Sequence, residues 1–550
     1  MRRVRGRLAE AGAGFREVFG NPDLRRLELA WAGAIVGKWA FGVALLVYAY
    51  DQGGTTAVGL LGLVRWTTAG LTAPFVALLA DRYDRRRVMV ASDLVRVVAL
   101  AAAGAVALAD GPALAVYGLG ILSTVAAAAF RPAQAAIVST LARTPTELTA
   151  ANVVSSTIES VGIFAGPALG GLVLAATEEG VVFAATAATF LWSALLLARI
   201  RGGAPAEGEA RPAEGIVREA TAGFRTVVGD RRVALLVGLF TAQTFVDGIL
   251  GVLLVVTSIE LLDLGDAGVG YLNSAIGVGG VLGAAAGVAL VGRRLARPFA
   301  LGILLWGLPL ALVGVFATPA AALVLLGVVG IANTVVDVAA MTLLQRAVPN
   351  EVLARVFGVL ESLVVLSVGL GAAVAPLLVA GLGDRGALLA TGAILPVLAA
   401  LTWPWVAAID AEAAPPEREL ELLRGVPFLA PLPAETIEPL AGRLERIVVP
   451  AGETVFRRGD AGDRFYVVGA GALEVQVDGR REAVGPGGWF GEIALVRDVP
   501  RTATVVARAD TELFSLGRDD FVGAVSGHAP SREAVDTVVG ARLGTGAAAA

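Results

Sequence analysis

The sequence predicts an α-helical membrane bundle of 12 TM helices in two six-helix halves, followed by a C-terminal α+β domain built on a small β-roll. Three observations predict it. The 550 residues are 56% hydrophobic with a mean hydropathy of +0.74, far too apolar for an ordinary water-soluble protein. Apolar runs long enough to cross ~30 Å of hydrocarbon recur up to about residue 408 and then stop. From about residue 445, glycine-centred turns separate short alternating runs, the pattern of closely spaced β-strands.

The apolar runs lie at about 27–50, 58–79, 88–109, 113–131, 150–176, 180–198, 233–258, 268–291, 299–316, 319–343, 353–380 and 386–408. The segments between them alternate in arginine. Arg2, Arg3, Arg5, Arg7, Arg16, Arg25 and Arg26 precede span one, Arg82, Arg85, Arg86 and Arg87 follow span two, and span six opens a long loop, 199–232, rich in arginine. The opposite loops carry Asp51, Asp110, Glu178, Glu179, Asp263 and Asp266, with Arg385 as their only basic residue. Lysine and arginine stay on the cytoplasmic side of membrane proteins, so both termini are expected in the cytoplasm of a multi-pass protein of the cell (plasma) membrane. Residues 1–26 are polar and lead straight into a full span, so no cleavable signal peptide is expected.

Composition also excludes chemistry. With no cysteine there is no disulfide, thiolate catalysis or cysteine metal site, and the single histidine, His528, excludes imidazole clusters. No metal, cofactor, enzymatic reaction or nucleic-acid partner is expected. The 69 glycines fit a bundle in which small residues let helices approach closely in the lipid bilayer.

The chain is internally duplicated. Phe15-Arg16-Glu17-Val18-Phe19-Gly20-Asn21 before span one returns as Phe224-Arg225-Thr226-Val227-Val228-Gly229-Asp230 before span seven, and Pro145-Thr146-Glu147-Leu148 as Pro349-Asn350-Glu351-Val352. Two halves, about 15–198 and 224–408, joined by a cytoplasmic loop are a transporter architecture. Asp81, Arg82, Tyr83, Asp84, Arg85 and Arg86 stand between spans two and three, and span five carries Gly162, Gly166, Pro167, Gly170 and Gly171. On these motifs the chain resembles the major facilitator superfamily over about residues 15–410, within a transporter domain taken as 1–410. Ala77 and Asp84 depart from its loop signature, each standing where glycine is usual. The resemblance implies that Asp81, Arg82, Arg85 and Arg86 act as a charged latch, and that the span-five run is the antiporter motif of proton-coupled efflux members. With Arg131-Pro132-Ala133-Gln134 at the end of span four, the pattern is similar to bacterial macrolide- and siderophore-efflux proteins, which implies export. A plain small-residue packing face and a topology-fixing basic cluster are the structural alternatives.

Ionisable residues inside spans are costly and are therefore functional candidates. Lys38 is the one lysine among 44 basic residues, and an amine can lose its proton where a guanidinium practically never does. Glu159, on the face of the glycine stripe, and Asp247, Asp337 and Glu361 are the acidic candidates for proton binding; Arg65 is a candidate for an anionic substrate group or for pairing with one of these acids. Asp93 and Arg96 read as a structural pair.

A polar linker, 411–418, containing Pro415 and Pro416 leads to the last domain, 419–543, and residues 544–550 read as a disordered tail. Helix is expected over 419–445 with a break at Phe428–Pro433, then strands such as 465–468 and 473–477, and a closing helix at about 531–543 able to act as a lid. Within it, Phe490-Gly491-Glu492-Ile493-Ala494-Leu495 runs into Pro500-Arg501-Thr502-Ala503-Thr504. A glycine for close approach, a short helix N-terminus, one carboxylate and one arginine suit a cyclic phosphate diester beside a ribose hydroxyl. The segment resembles the phosphate cassette of cyclic nucleotide-binding domains. The resemblance implies that Glu492 takes the ribose 2′-hydroxyl, that Arg501 pairs with the phosphate, and that the N–H groups of Ile493, Ala494, Thr502 and Ala503 surround it. The regulatory ligand is then cAMP or cGMP; Thr502 does not decide between them.

The expected function is a membrane exporter of a small, lipophilic molecule by alternating access, in proton-coupled antiport, regulated by cyclic nucleotide at its tail. Two alternatives stay open: a non-transporting membrane receptor that binds a cyclic nucleotide, and a transporter whose tail is a scaffold without ligand.

Overall fold

The computed structural model describes residues 18–201, 224–287, 295–348, 350–412, 417–477 and 480–547. The first arginines up to Arg16, the heart of the 199–232 loop, Pro349 and the linker prolines lie outside these residues. The chain divides into two compact units that part at Asp410.

The first unit is helical throughout. Its elements are α1 (Pro22–Arg82), α2 (Arg85–Leu108), α3 (Ala113–Ala127), α4 (Phe130–Leu141), α5 (Pro145–Leu174), α6 (Glu179–Ala198), α7 (Arg231–Val256), α8 (Gly265–Gly287), α9 (Ala296–Phe316), α10 (Pro319–Ala347) and α11 (Asn350–Glu412). Among the described residues these form ten helices long and apolar enough to cross a membrane, where the sequence pattern predicts twelve. Two of the ten each cover two of the expected apolar runs. The helix containing spans one and two is interrupted by non-helical Gly53 and Gly54, and the helix containing spans eleven and twelve by Gly383. Gly54 and Gly383 have φ of 62° and 68°, the left-handed region that glycine adopts without a Cβ penalty.

Span four also differs from expectation. It does not end at residue 131: α3 and α4 are separated only at Ala128 and Ala129, both with helical φ/ψ, and the apolar rod runs on to Leu141. Arg131 and Pro132 thus lie in the first turn of α4, where proline's missing N–H has no intrahelical partner to lose.

The glycine stripe of α5 lies against α1. A methyl at Gly162 would fall 2.6 Å from Ile35, at Gly166 2.5 Å from Trp39 Cβ, and at Gly170 3.0 Å from Ala40 Cα. Gly171, turned to another side, touches the backbone of Ala267 and Gly270 on α8. Without a hydrophobic force between helices in lipid, such close backbone approach is what associates them.

The second unit holds α12 (Glu417–Arg424), α13 (Ala434–Gly442), strands β1 (Glu445–Val449), β2 (Thr454–Phe456), β3 (Arg464–Ala470), β4 (Leu473–Val477), β5 (Arg480–Val484) and β6 (Trp489–Phe490), α14 (Glu492–Arg497), β7 (Thr504–Ala507), β8 (Thr511–Gly517), α15 (Arg518–Ser526) and α16 (Ala529–Ala547). Helix α16 extends through Ala547, so residues 544–547, expected as disordered tail, are helical, and only 548–550 lie outside the described residues. Two antiparallel sheets, ordered β1-β8-β3-β6 and β2-β7-β4-β5, face each other. Strand β3 shows why two cores form. Successive side chains alternate in direction, so Phe465 and Val467 join the helices around Phe428, Leu440 and Phe521, while Tyr466 and Val468 join Leu473, Phe490 and Leu513 between the sheets.

Candidate functional site: a buried carboxylate and arginine in the C-terminal domain

The site is built where β6 gives way to α14. Tyr466 stacks on Phe490 with centroids 5.1 Å apart, which fixes the end of β6. Gly491 then turns the chain at φ 95°, and a methyl there would fall 2.8 Å from Arg501 Nη1 and 3.1 Å from the Arg464 carbonyl. Glycine is needed for both the angle and the room. The six-residue α14 is held by its apolar side, with Leu495 in the helical core and Ile493 and Val496 packed against it. Ala494 and Ala503 are buried, and Ile493 and Thr502 half-buried. The first N–H groups of any helix lack intrahelical acceptors, which is the property a phosphate uses.

Glu492 is 1% exposed and Arg501 is 3% exposed. Arg501 lies 4.3 Å over the Phe456 ring; Nη1 donates to the Gly491 carbonyl at 3.2 Å, and Nη2 to the Arg464 carbonyl at 2.9 Å and Asp463 Oδ1 at 3.3 Å. Arg542 of α16 donates to Glu492 Oε1 at 2.7 Å and stacks over Trp489 at 4.0 Å. Burial pushes the Glu492 carboxyl above its ordinary range, opposed by Arg542, its own backbone N–H and Arg501. After all these bonds, Glu492 Oε2 and Arg501 Nε remain buried with no hydrogen-bond partner. A buried acceptor beside a buried cationic donor, each with capacity left, fits a ligand that brings a hydroxyl and an anionic oxygen together. The ribose hydroxyl and cyclic phosphate of a cyclic nucleotide meet that description.

Sequence reading missed Arg542, Trp489, Phe456 and Asp463. Arg542 is a surface-looking arginine fifty residues from its partner in a low-complexity end, and nothing local marks it.

In the helical unit the predicted residues separate into groups. Arg131 and Glu159 form an ion pair at 2.5 Å, and Arg96 pairs with Asp93 at 3.3 Å while lying 3.4 Å over the Phe190 ring. Arg65 lies near the rings of Phe41 and Trp66, and its Nε donates to Thr124 Oγ1 at 2.9 Å. Lys38 is exposed, with its amine 5.3 Å from the Trp39 ring centre, and the charges acting on it are Arg96, Arg65, Glu159 and Arg131. Asp337 accepts from Asn333 Nδ2 at 3.0 Å, and Asn333 Oδ1 accepts from Gln243 and Trp306, a network the sequence did not reveal. Asp247 and Glu361 are exposed. In the loop motif, Arg85 and Arg86 donate to the carbonyls of Ala136 and Ile200, and Asp84 caps α2 by accepting from the Arg87 N–H at 2.9 Å. The aspartate that departs from the loop signature thus has a local structural role. Nothing is described of the side chains of Asp81 and Arg82.

Comparison with known proteins agrees with this division. Residues 446–528 match the family described as cyclic nucleotide-binding domain, and residues 29–300 match the Major Facilitator Superfamily. A cAMP-dependent protein kinase regulatory subunit of Aspergillus niger is 39% identical over 102 residues, 18% of this chain and 25% of that protein. One from Yarrowia lipolytica is 40% identical over 102 residues, 18% of this chain and 27% of that protein. The chain thus spans about a quarter of the length of these curated relatives. A solved POT family transporter in complex with 5-aminolevulinic acid aligns with a TM-score of 0.57 and 14% identity, covering 70% of this chain and 96% of that one, a likeness of fold.

Proposed function

The chain being a Major Facilitator Superfamily domain fused to a C-terminal cyclic nucleotide-binding domain, we propose that it is a plasma-membrane exporter of a small, lipophilic molecule, coupled to protons and regulated by cAMP or cGMP. The observation that carries the regulatory half is that Glu492 Oε2 and Arg501 Nε, in residues whose charges interact, are both buried without a hydrogen-bond partner in the tail domain. The relatives named as cAMP-dependent kinase subunits favour cAMP. Glu492 accepts the ribose hydroxyl, Arg501 pairs with the phosphate, and the N–H groups of Ile493, Ala494, Thr502 and Ala503 complete the cradle.

Two further points belong to this reading. A continuous 52-residue helix would be about 78 Å long, over twice the hydrocarbon thickness, so breaks at Gly53–Gly54 and Gly383 support a reading in which each divides two crossings, twelve in all. Arginine alternation supports cytoplasmic termini, on the side where the nucleotide is made. Alternating access uses the glycine face of α5 against α1 and α8 as its sliding surface, with Gly162, Gly166, Pro167, Gly170 and Gly171 as the moving seam.

A ligand shifts a conformational equilibrium only by its differential affinity for the two states, so the tail regulates transport only if the nucleotide binds them unequally. The test is flux of a panel of dyes and lipophilic drugs in inverted vesicles with and without cAMP and cGMP. Flux that changes with one nucleotide supports the reading. No flux of any compound, with nucleotide binding intact, selects the receptor; flux indifferent to nucleotide selects the scaffold.

A further inference from the structure

Among the described residues, one fully buried carboxylate of the helical unit is not marked by the sequence pattern. Glu28 stands at the start of the apolar run of α1 and is 0% exposed. Ser155 of α5 donates to its Oε1 at 2.6 Å, and its Oε2 has no partner. A single hydroxyl is poor compensation for an ionised carboxylate withdrawn from water, whereas a neutral carboxyl is far less costly in the same place.

The next turn holds the alternative partner. Trp31, three residues on from Glu28, donates to the Ser155 carbonyl at 3.4 Å and carries the Arg131 guanidinium 5.0 Å over its ring. Arg131 there pairs with Glu159, four residues on from Ser155. Glu28, bonded to Ser155, and Glu159, one turn further along α5, therefore both lie within reach of the Arg131 charge, Glu159 as its ion-pair partner and Glu28 through a longer-range attraction. The other titratable groups near this end are engaged elsewhere. Asp23 pairs with Arg26 at 2.7 Å, and Glu147 accepts from the Arg143 N–H at 2.6 Å and from Asn21 at 3.4 Å. Lys38 lies ten residues along α1, nearly three turns away.

We propose that Glu28 is a proton-binding site gated by Arg131, which exchanges between Glu159 and Glu28 as α1, α4 and α5 shift by one turn. This deepens the proton-coupled reading above and rests on it for its role in transport. With Arg131 on Glu159, Glu28 holds a proton on its carboxyl. When Arg131 moves to Glu28, that O–H bond breaks, the proton passes to water and the ion pair replaces it. Glu159, whose side chain is 33% exposed, is left to hydration. The reverse step takes one proton up. One-turn shifts of packed helices are a known form of switching.

The test is infrared spectroscopy of full-length protein in nanodiscs, following the carbonyl band of protonated carboxylic acids through a pH titration. One component of that band is expected to vanish in Glu28→Gln. In Glu159→Gln, which leaves Arg131 only Glu28 to pair with, the component should titrate at least one pH unit lower, a tenfold change in proton affinity. In Arg131→Gln it should persist to higher pH. A band unchanged in Glu28→Gln, or unmoved in Glu159→Gln, overturns the proposal. Should Glu28→Gln fail to fold, Ser155→Ala serves instead: it removes the one hydroxyl donor and must move the band, and an unmoved band overturns the assignment equally. The readout needs no transported compound, so failure of the flux assay and failure of this assignment are separate results.

Discussion

Replacing Arg501 by alanine tests the cassette most directly. The side chain does two things, and their magnitudes are separable. Within the domain it donates to the carbonyls of Gly491 and Arg464, bonds from a charged donor worth about 1.5–3 kcal/mol each. Its contact with Asp463 adds little, because that carboxylate is 75% exposed. Loss of the side chain should therefore destabilise the domain by about 3–5 kcal/mol, some of it recovered as water reaches the freed carbonyls. Toward ligand, removing one partner of a desolvated charge pair costs about 2–5 kcal/mol, an affinity loss of roughly 30-fold to a few thousand-fold. Arg501→Lys separates the two effects, since it keeps the charge and loses the planar fork. Calorimetric titration of full-length protein with cAMP should give the order wild type, Arg501→Lys, Arg501→Ala, with circular dichroism confirming that each variant is folded. Equal affinities in wild type and a folded Arg501→Ala would refute the assigned role.

Reporters inserted near Gly208 and fused after Ala550 should both read as cytoplasmic; either one on the outer face overturns the orientation. Gly166→Ala should lower stability by about 1–3 kcal/mol through overpacking, since the added methyl meets Trp39 Cβ and the Val36 carbonyl, whereas Gly238→Ala, with open space around it, serves as a neutral control in thermal unfolding. Because burial raises the Glu492 carboxyl above its ordinary 4.5, the neutral form favours folding at low pH, and that contribution is lost as pH rises through the raised value. A ribose hydroxyl prefers the ionised acceptor, so cAMP affinity should increase with pH over that same window, starting above 4.5, and be flat in Glu492→Gln; a flat wild-type profile refutes the pairing. Arg542→Ala removes a group that opposes the shift, so the wild-type pH window should move upward.

What could be read from sequence follows the range of the interactions involved. Strands β3 and β4 and the break around Phe428–Pro433 were legible because alternation and turn residues act within a few positions. Gly491, Glu492 and Arg501 lie within eleven residues, so their association showed as a motif. Arg542 reaches Glu492 from fifty residues away, and only the fold of α16 brings it there. The glycines at 53, 54 and 383 fall in the gaps between the apolar runs 27–50 and 58–79 and between 353–380 and 386–408, so these two breaks were legible as local pauses in the apolar pattern. Glu28 escaped notice because, at the start of span one, it reads as an interfacial residue. Its burial arises from α5 covering it, a contact across 127 positions.

The charges of the helical unit carry a further argument about which can act. Removing one partner of a buried ion pair costs about 3–5 kcal/mol, because the other charge is left uncompensated. Asp93 and Arg96 are both almost fully buried and paired, so a mechanism that discharged either one would meet that cost in every cycle. Arg131 and Glu159 are paired but half-open, with side-chain exposures of 54% and 33%, so water can take over from either partner and their separation is far cheaper. Lys38, Asp247 and Glu361 are exposed, and no ion pair involving them is found among the described residues. An exposed charge in an apolar span must face water, a polar path or a charged substrate, because lipid would not tolerate it. The unit thus sorts its ions by accessibility: Asp93 and Arg96 are closed off and paired, Arg131 and Glu159 are paired but half-open, and Lys38, Asp247 and Glu361 are exposed.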